Sequence, residues 1–215
     1  MPYRLLKLFV ALAAYGLSMA MMLQSHYGLM PWDVLHQGLS LQGGWPMGRV
    51  TVAVSFVVLL AWIPIRHKPG FGTICNAILV GLTFDAVLEP LGQLVAGAGP
   101  VMRMALLGGG IMLNGAATAA YLGADFGAGP RDGLMTGLVR RTGRSVRMVR
   151  TLIEGSVLAT GYLLGGTLGV GTVLYMLLIG PLIQLMLPWF QRPWPVPRVT
   201  PATEPPAEQP GPAIR

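Results

Sequence analysis

Charge and cysteine are both scarce in this chain. Asp, Glu, Lys and Arg make up 11% of its residues, against about 25% in a soluble domain. Apolar residues make up 53%. A soluble body of this size has too little interior for so much apolar surface, so much of it must face lipid. The single cysteine, Cys75, lies in an apolar run. It excludes a disulfide framework and reads as a small buried hydrophobe. The histidines, His26, His36 and His67, fall outside the long apolar runs and read as solvated. There is no HExxH, no Gly-x-Ser-x-Gly and no Cys/His cluster, so no enzyme, metal site or cofactor is expected. The net charge is +7. Its basic residues form short clusters without interleaved aromatics, which argues against nucleic acid as a partner.

What the chain does have is length in its apolar runs. Six approach the roughly 20 residues that cross a bilayer: 5–24, 46–65, 73–94, 101–122, 146–164 and 170–190. Basic residues mark alternate loops. Arg4 and Lys7 precede the first run, Arg66 and Lys68 follow the second, and Arg131, Arg140, Arg141, Arg144 and Arg147 lie around the loop before the fifth. Arg192, Arg198 and Arg215 follow the sixth. By the positive-inside rule these loops and both termini are expected in the cytoplasm. Arg4, Lys7 and the apolar run that follows also match a signal peptide. Because that run takes part in an internal repeat, it is read as a retained span.

The repeat has an offset of 99 residues without a gap. It gives 19 identities between 11–90 and 110–189, where background usage of so Gly- and Leu-rich a chain gives roughly seven. The matches fall on residues that set backbone geometry. Gly28, Pro31, Asp33 and Gly38 align with Gly127, Pro130, Asp132 and Gly137. Gly70, Gly72 and Thr73 align with Gly169, Gly171 and Thr172. The expected architecture is therefore all-α: six transmembrane helices in two three-helix repeats, 1–95 and 96–192, followed by a disordered Pro-rich cytoplasmic tail, 193–215. Three spans are an odd number, so the second repeat should enter the membrane from the opposite side. Inverted repeats of this kind recur in secondary transporters.

Within each repeat two motifs stand out. Pro31 and Pro130 suit the first turn of a helix, where a missing N–H costs nothing. Asp33 and Asp132 would cap that turn or bind a cation or proton. The helix after each is too short to span and would lie in the interface or re-enter the membrane. Trp32, replaced by Arg131 in the twin, fits an aromatic belt on one side and a basic anchor on the other. The Gly-x-Gly-Thr motifs read as tight turns with a helix cap, or as backbone sites for an ion. Polar residues inside spans are few: Asp85, Asn76, Asn114, Glu154, and Arg150 four residues before Glu154. Embedded carboxylates are costly, which makes Asp85 and Glu154 candidates for coupling a charge to transport. Asn76 and Asn114 fit helix-to-helix hydrogen bonding. Glycines at 108–110, 115, 161, 165 and 166 permit close helix approach.

These motifs resemble the YczE/YyaS/YitT group of bacterial integral membrane proteins, most closely its YczE-like members. The resemblance rests on Gly28 to Leu35 with Gly38 to Ser40, on Gly127 to Met135, and on Arg141 to Gly143, Glu154 and Leu164 to Thr172. It implies a multi-pass protein of the bacterial plasma membrane, and export of small molecules has been suggested for relatives. The leading expectation is a small-molecule or ion transporter working by alternating access, with Asp33 and Asp132 at its two mouths. Its expected partners are membrane lipid, a small-molecule or ion substrate and a second copy of the chain as a homo-oligomer. The alternative is a membrane scaffold or regulator acting through partner proteins, suggested by the basic segment 140–147 and the tail.

Overall fold

The structure is a computed structural model that describes residues 2–191; the tail at 193–215 lies outside the described residues. Those residues form eight α-helices: α1 (Pro2–Ser25), α2 (Pro31–Gly43), α3 (Met47–Leu60), α4 (Phe71–Leu94), α5 (Pro100–Leu122), α6 (Pro130–Thr142), α7 (Val146–Leu163) and α8 (Val170–Phe190). The 99-residue offset carries the first residues of α2, α3 and α4 onto those of α6, α7 and α8. Each repeat thus contains four helices.

Local chemistry sets the ends of the short helices. Pro31 and Pro130 occupy the first turn of α2 and α6. Both helices stop at a left-handed glycine, Gly44 and Gly143, whose N–H returns to the Ser40 and Val139 carbonyls. At the start of α4 and α8 a threonine hydroxyl accepts the N–H of the preceding glycine. Thr73 takes Gly70 at 3.1 Å and Thr172 takes Gly169 at 3.3 Å.

The same motifs lock the repeats together. Gly72 donates its N–H to the Phe126 carbonyl and Gly171 donates to the Tyr27 carbonyl, each at 2.8 Å. Thr73 donates to the Ala128 carbonyl at 2.7 Å, and Thr172 accepts the Leu29 N–H at 3.2 Å. So the loop after α1 clasps the start of α8, and the loop after α5 clasps the start of α4. The exchange is reciprocal, as in a two-fold contact. Gly28 and Gly127 sit at these crossings with φ of 128° and 114°, and a Cβ on either would press on the facing threonine hydroxyl at under 3 Å. Only glycine fits both demands.

α1 and α5 run antiparallel through the middle. Arg4 bonds the Ala124 carbonyl at 2.8 Å, Asn114 bonds Ser18 at 2.9 Å, and Met22 packs on Gly110. α4 flanks α1 at Gly16, and α8 flanks α5 at Gly115. The core is continuous along α1, with Leu8, Leu12, Met19 and Met22 buried beside Phe84 and Ile111. Basic residues collect at one end of the bundle on carbonyl groups left over there. Arg4 binds at the end of α5, Lys7 binds the Phe190 carbonyl, and Arg141 binds the Pro64 carbonyl.

Four helices among the described residues are long and apolar enough to cross a membrane: α1, α4, α5 and α8. A fifth crossing arises if α2 and α3, bent by 114°, count as one broken span. The two remaining runs of the six expected ones fall short for different reasons. α3 has only 14 residues. α7 has 18, but it carries Arg147, Arg150 and Glu154. Large apolar side chains such as Leu94, Val101, Leu163 and Leu185 project outward, as a lipid-facing surface requires.

Candidate functional site

Side chains in the first turns of α2 and α6 bring the two Pro-x-Asp motifs together. Asp33, in the first turn of α2, is wholly buried, and neither carboxylate oxygen has a hydrogen-bond partner. Its nearest polar neighbours are His36 Nδ1 at 3.3 Å and the Arg131 guanidinium at 3.7 Å. His36 is also wholly buried, 3.0 Å from the Thr51 hydroxyl. Thr51 donates its one proton to the Met47 carbonyl at 3.0 Å. It therefore accepts from His36, which assigns the imidazole proton to Nδ1. The Nε2 lone pair is left facing Arg131 at 3.5 Å. The Arg131 guanidinium lies 5.1 Å above the Trp32 ring, a cation–π arrangement.

Asp132, the twin of Asp33, has a different partner: it accepts the Tyr121 hydroxyl. On α7, Arg150 Nε binds Glu154 at 2.8 Å. The Tyr175 hydroxyl donates to Asn114 at 3.0 Å, and Asn114 passes the chain on to Ser18. A cavity of about 100 Å³ lies among these groups, walled by Tyr15, Trp32, Tyr121, Arg131, Asp132, Arg150, Glu154 and Tyr175. A smaller one of about 40 Å³ shares Tyr15, Tyr121, Arg131 and Asp132 and adds Thr51, Ser55 and Asn76.

Most of the residues expected to matter converge here. Asp132, Arg150, Glu154 and Asn76 line the two cavities, Asp33 lies directly behind Arg131, and Asn114 holds Tyr175. Pro31 is in the wall, and the Pro130 carbonyl accepts the Trp62 indole N–H at 3.0 Å. Gly38 lets α2 lie against Gly161 of α7, and Gly137 lets α6 lie against Ile65. Asp85 is elsewhere. Its carboxylate accepts the Gly48 and Arg49 N–H groups at 2.7 and 3.1 Å, tying the first turn of α3 to α4.

Three expectations change. Asp33 and Asp132 are not at two separate mouths; Asp33 is wholly buried behind Arg131, and Asp132 lines the same cavity as Arg131. Trp32 and Arg131 are not interfacial anchors on opposite faces; they stack on each other in the interior. His36 is not a solvated loop residue but a buried neighbour of Asp33 on the same helix face. Sequence reasoning also missed the cavity tyrosines, Tyr15, Tyr121 and Tyr175. The i, i+3 spacing of Asp33 and His36 was the available signal for His36. Nothing local marks the tyrosines, whose approach depends on how α1, α5 and α8 cross.

A family profile described as "Family of unknown function (DUF6198)" matches residues 2–188. An "Uncharacterized protein" of Haemophilus influenzae is 38% identical over 180 residues, covering 84% of this chain and 81% of that protein. The "Uncharacterized membrane protein YczE" of Bacillus subtilis is 31% identical over 162 residues, covering 75% and 74% of the two chains. "Uncharacterized protein YyaS" of the same organism is 28% identical over 184 residues, covering 85% and 92%. No solved structure matches the chain.

Proposed function

The chain belongs to this YczE-like family of membrane proteins, and from that premise we propose that it is a transporter of small molecules or ions working by alternating access. In this reading the two repeats have inverted topology, related by an axis in the membrane plane, with both termini in the cytoplasm. The antiparallel course of α1 and α5 and the reciprocal clasps at Gly28 and Gly127 support the inversion. The gathering of Arg4, Lys7 and Arg141 at one end supports the orientation.

One observation carries the transport reading: equivalent helices pack unequally around the central cavity. In the first repeat α3 lies along α4, held at Gly48 by Gly81 and Asp85. In the second repeat α7 makes no comparable packing along α8. The 100 Å³ cavity occupies the gap, with Arg150, Ile153 and Glu154 of α7 on one wall and Tyr175, Ile179 and Ile183 of α8 on the other. Two similar halves holding different poses around one site are what a rocking carrier uses to face one side at a time. Closing α7 onto α8 would seal the site from this direction.

Spin labels test the motion. Gly155 with Leu178 reports α7 against α8, and Phe56 with Leu82 reports α3 against α4; all four positions are exposed. In nanodiscs the α7–α8 distance should show two populations. A single distance under all conditions would remove alternating access. Cysteine labelling from each side of intact cells tests the inversion. Trp45 and Arg144 are equivalent in the repeat and exposed, so they should react from opposite faces.

A further inference from the structure

The charges around the cavity do not balance. Asp33, Asp132 and Glu154 bring three carboxylates, while Arg131 and Arg150 bring two guanidinium groups. Arg150 is committed to Glu154 at 2.8 Å. Asp132 takes a hydroxyl from Tyr121. Asp33 is left with Arg131 at 3.7 Å, beyond hydrogen-bond length, and with a His36 N–H at 3.3 Å that is directed to Thr51, so neither oxygen accepts a hydrogen bond. A wholly buried carboxylate in that condition is costly to keep.

We propose that the central cavity binds a small organic cation bearing N–H groups, of the guanidinium or alkylammonium class, which takes the place of the Arg131 guanidinium against Asp33. The proposal rests on the transport reading, since it names the substrate class of that same site. Arg131 stands between the cavity and Asp33. Its side chain is 20% exposed and lines both cavities, whereas Asp33 is fully covered and lines neither. The guanidinium already rests over the Trp32 ring at 5.1 Å, so the site displays the kind of group it accepts. Tyr15, Tyr121 and Tyr175 offer further aromatic surface around the same space.

The acceptors select N–H donors. The Asp33 oxygens and the His36 Nε2 lone pair both face Arg131, and Thr51 fixes the His36 proton on the other nitrogen. A quaternary ammonium would satisfy neither acceptor. An anion would have to draw Arg131 or Arg150 from its carboxylate and leave that carboxylate uncompensated. The volume, about 100 Å³, falls well below the roughly 300 Å³ where drug-sized pockets begin, which limits the ligand to a few heavy atoms.

Equilibrium binding to the purified protein in nanodiscs tests this without requiring transport. Guanidinium and methylammonium chloride at millimolar concentration are compared with potassium, tetramethylammonium and acetate salts at equal ionic strength, by calorimetry and thermal stabilisation. The first two should bind and the others should not. Arg131→Gln should tighten guanidinium binding by about tenfold, because the built-in competitor is gone and the competent state is no longer a minor one. Arg131→Lys, which keeps a tethered cation, should stay close to wild type. Asp33→Asn should abolish binding. Equal binding of tetramethylammonium, binding of acetate alone, or undiminished binding by Asp33→Asn would each overturn the proposal. If Arg131→Gln does not fold, the ion series and Asp33→Asn still decide it. Proteoliposome flux separates the two readings. Cation binding without flux of any tested solute leaves the site and removes the carrier. Flux of an anion or neutral solute without cation binding leaves the carrier and removes this substrate class.

Discussion

α3 against α4 and α7 against α8 are the same pair of elements in two repeats, yet the first pair is closed and the second is open. At the closed contact two glycines meet, Gly48 on α3 and Gly81 on α4, so closely that the backbones touch. Asp85 then supplies acceptors for the unpaired N–H groups of α3. At the open contact the equivalents are Arg147, Gly180 and Gln184. A Cβ on Gly180 would meet nothing within 4 Å. α7 instead draws its cap from its own Ser145, which accepts the Met148 N–H. The comparison teaches that the repeat preserves turns and clasps while the long contacts beside the cavity diverge. The first repeat holds a latch where the second holds a gap.

The latch carries the largest expected effect. Asp85→Ala should cost about 3 kcal/mol in unfolding experiments in mixed micelles, since the Gly48 and Arg49 N–H groups lose a charged acceptor. Gln184→Ala, at the exposed equivalent position, should stay within about 0.5 kcal/mol. Similar costs for the two would erase the distinction between closed and open pairs. The glycines give a second contrast, of opposite sign. Gly81→Ala should destabilise by about 2 kcal/mol through backbone overlap with Gly48. Gly180→Ala should leave stability unchanged or raise it by about 0.5–1 kcal/mol, because it gains helix propensity in open space. A loss at Gly180 matching that at Gly81 would mean that α7 and α8 are packed after all.

The clasps should behave alike, and that sharpens the comparison from the other side. Thr73→Val and Thr172→Val each remove a hydroxyl that caps its own helix and makes one hydrogen bond to the other repeat, and each should cost about 1–2 kcal/mol. A large inequality between them would show that the asymmetry of the long contacts extends into the crossings. The smallest effect belongs to the ends of the short helices. Gly44→Ala and Gly143→Ala both force a left-handed backbone on alanine, and each should lower stability by about 1 kcal/mol.

Much of this arrangement was legible from residues 99 apart. Pro31 and Pro130 placed the starts of α2 and α6, and the Gly-x-Gly-Thr motifs placed those of α4 and α8, because such residues act within one turn of backbone. Their reciprocal clasping was not legible, since Gly72 and Phe126 are joined only by the fold. The site was legible in part. Asp33, Asp132, Arg150 and Glu154 stood out as charges in apolar surroundings. Their convergence did not, and Trp32 and Arg131 were read as surface anchors because each alone suits an interface. Asp85 stood out for the same reason as Glu154, and only the packing of α3 turned it into a helix latch.

The amino-acid order alone determined that this chain is helical, that it needs lipid around it, and that it is built twice over the same plan. Those properties follow from composition and from residues that constrain their own dihedral angles. Tertiary structure decided which helices are long enough to cross, which glycines are contacts and which are open, and that two acidic motifs almost a hundred residues apart face one cavity. These are matters of how helix faces meet at a distance, and no local preference encodes that.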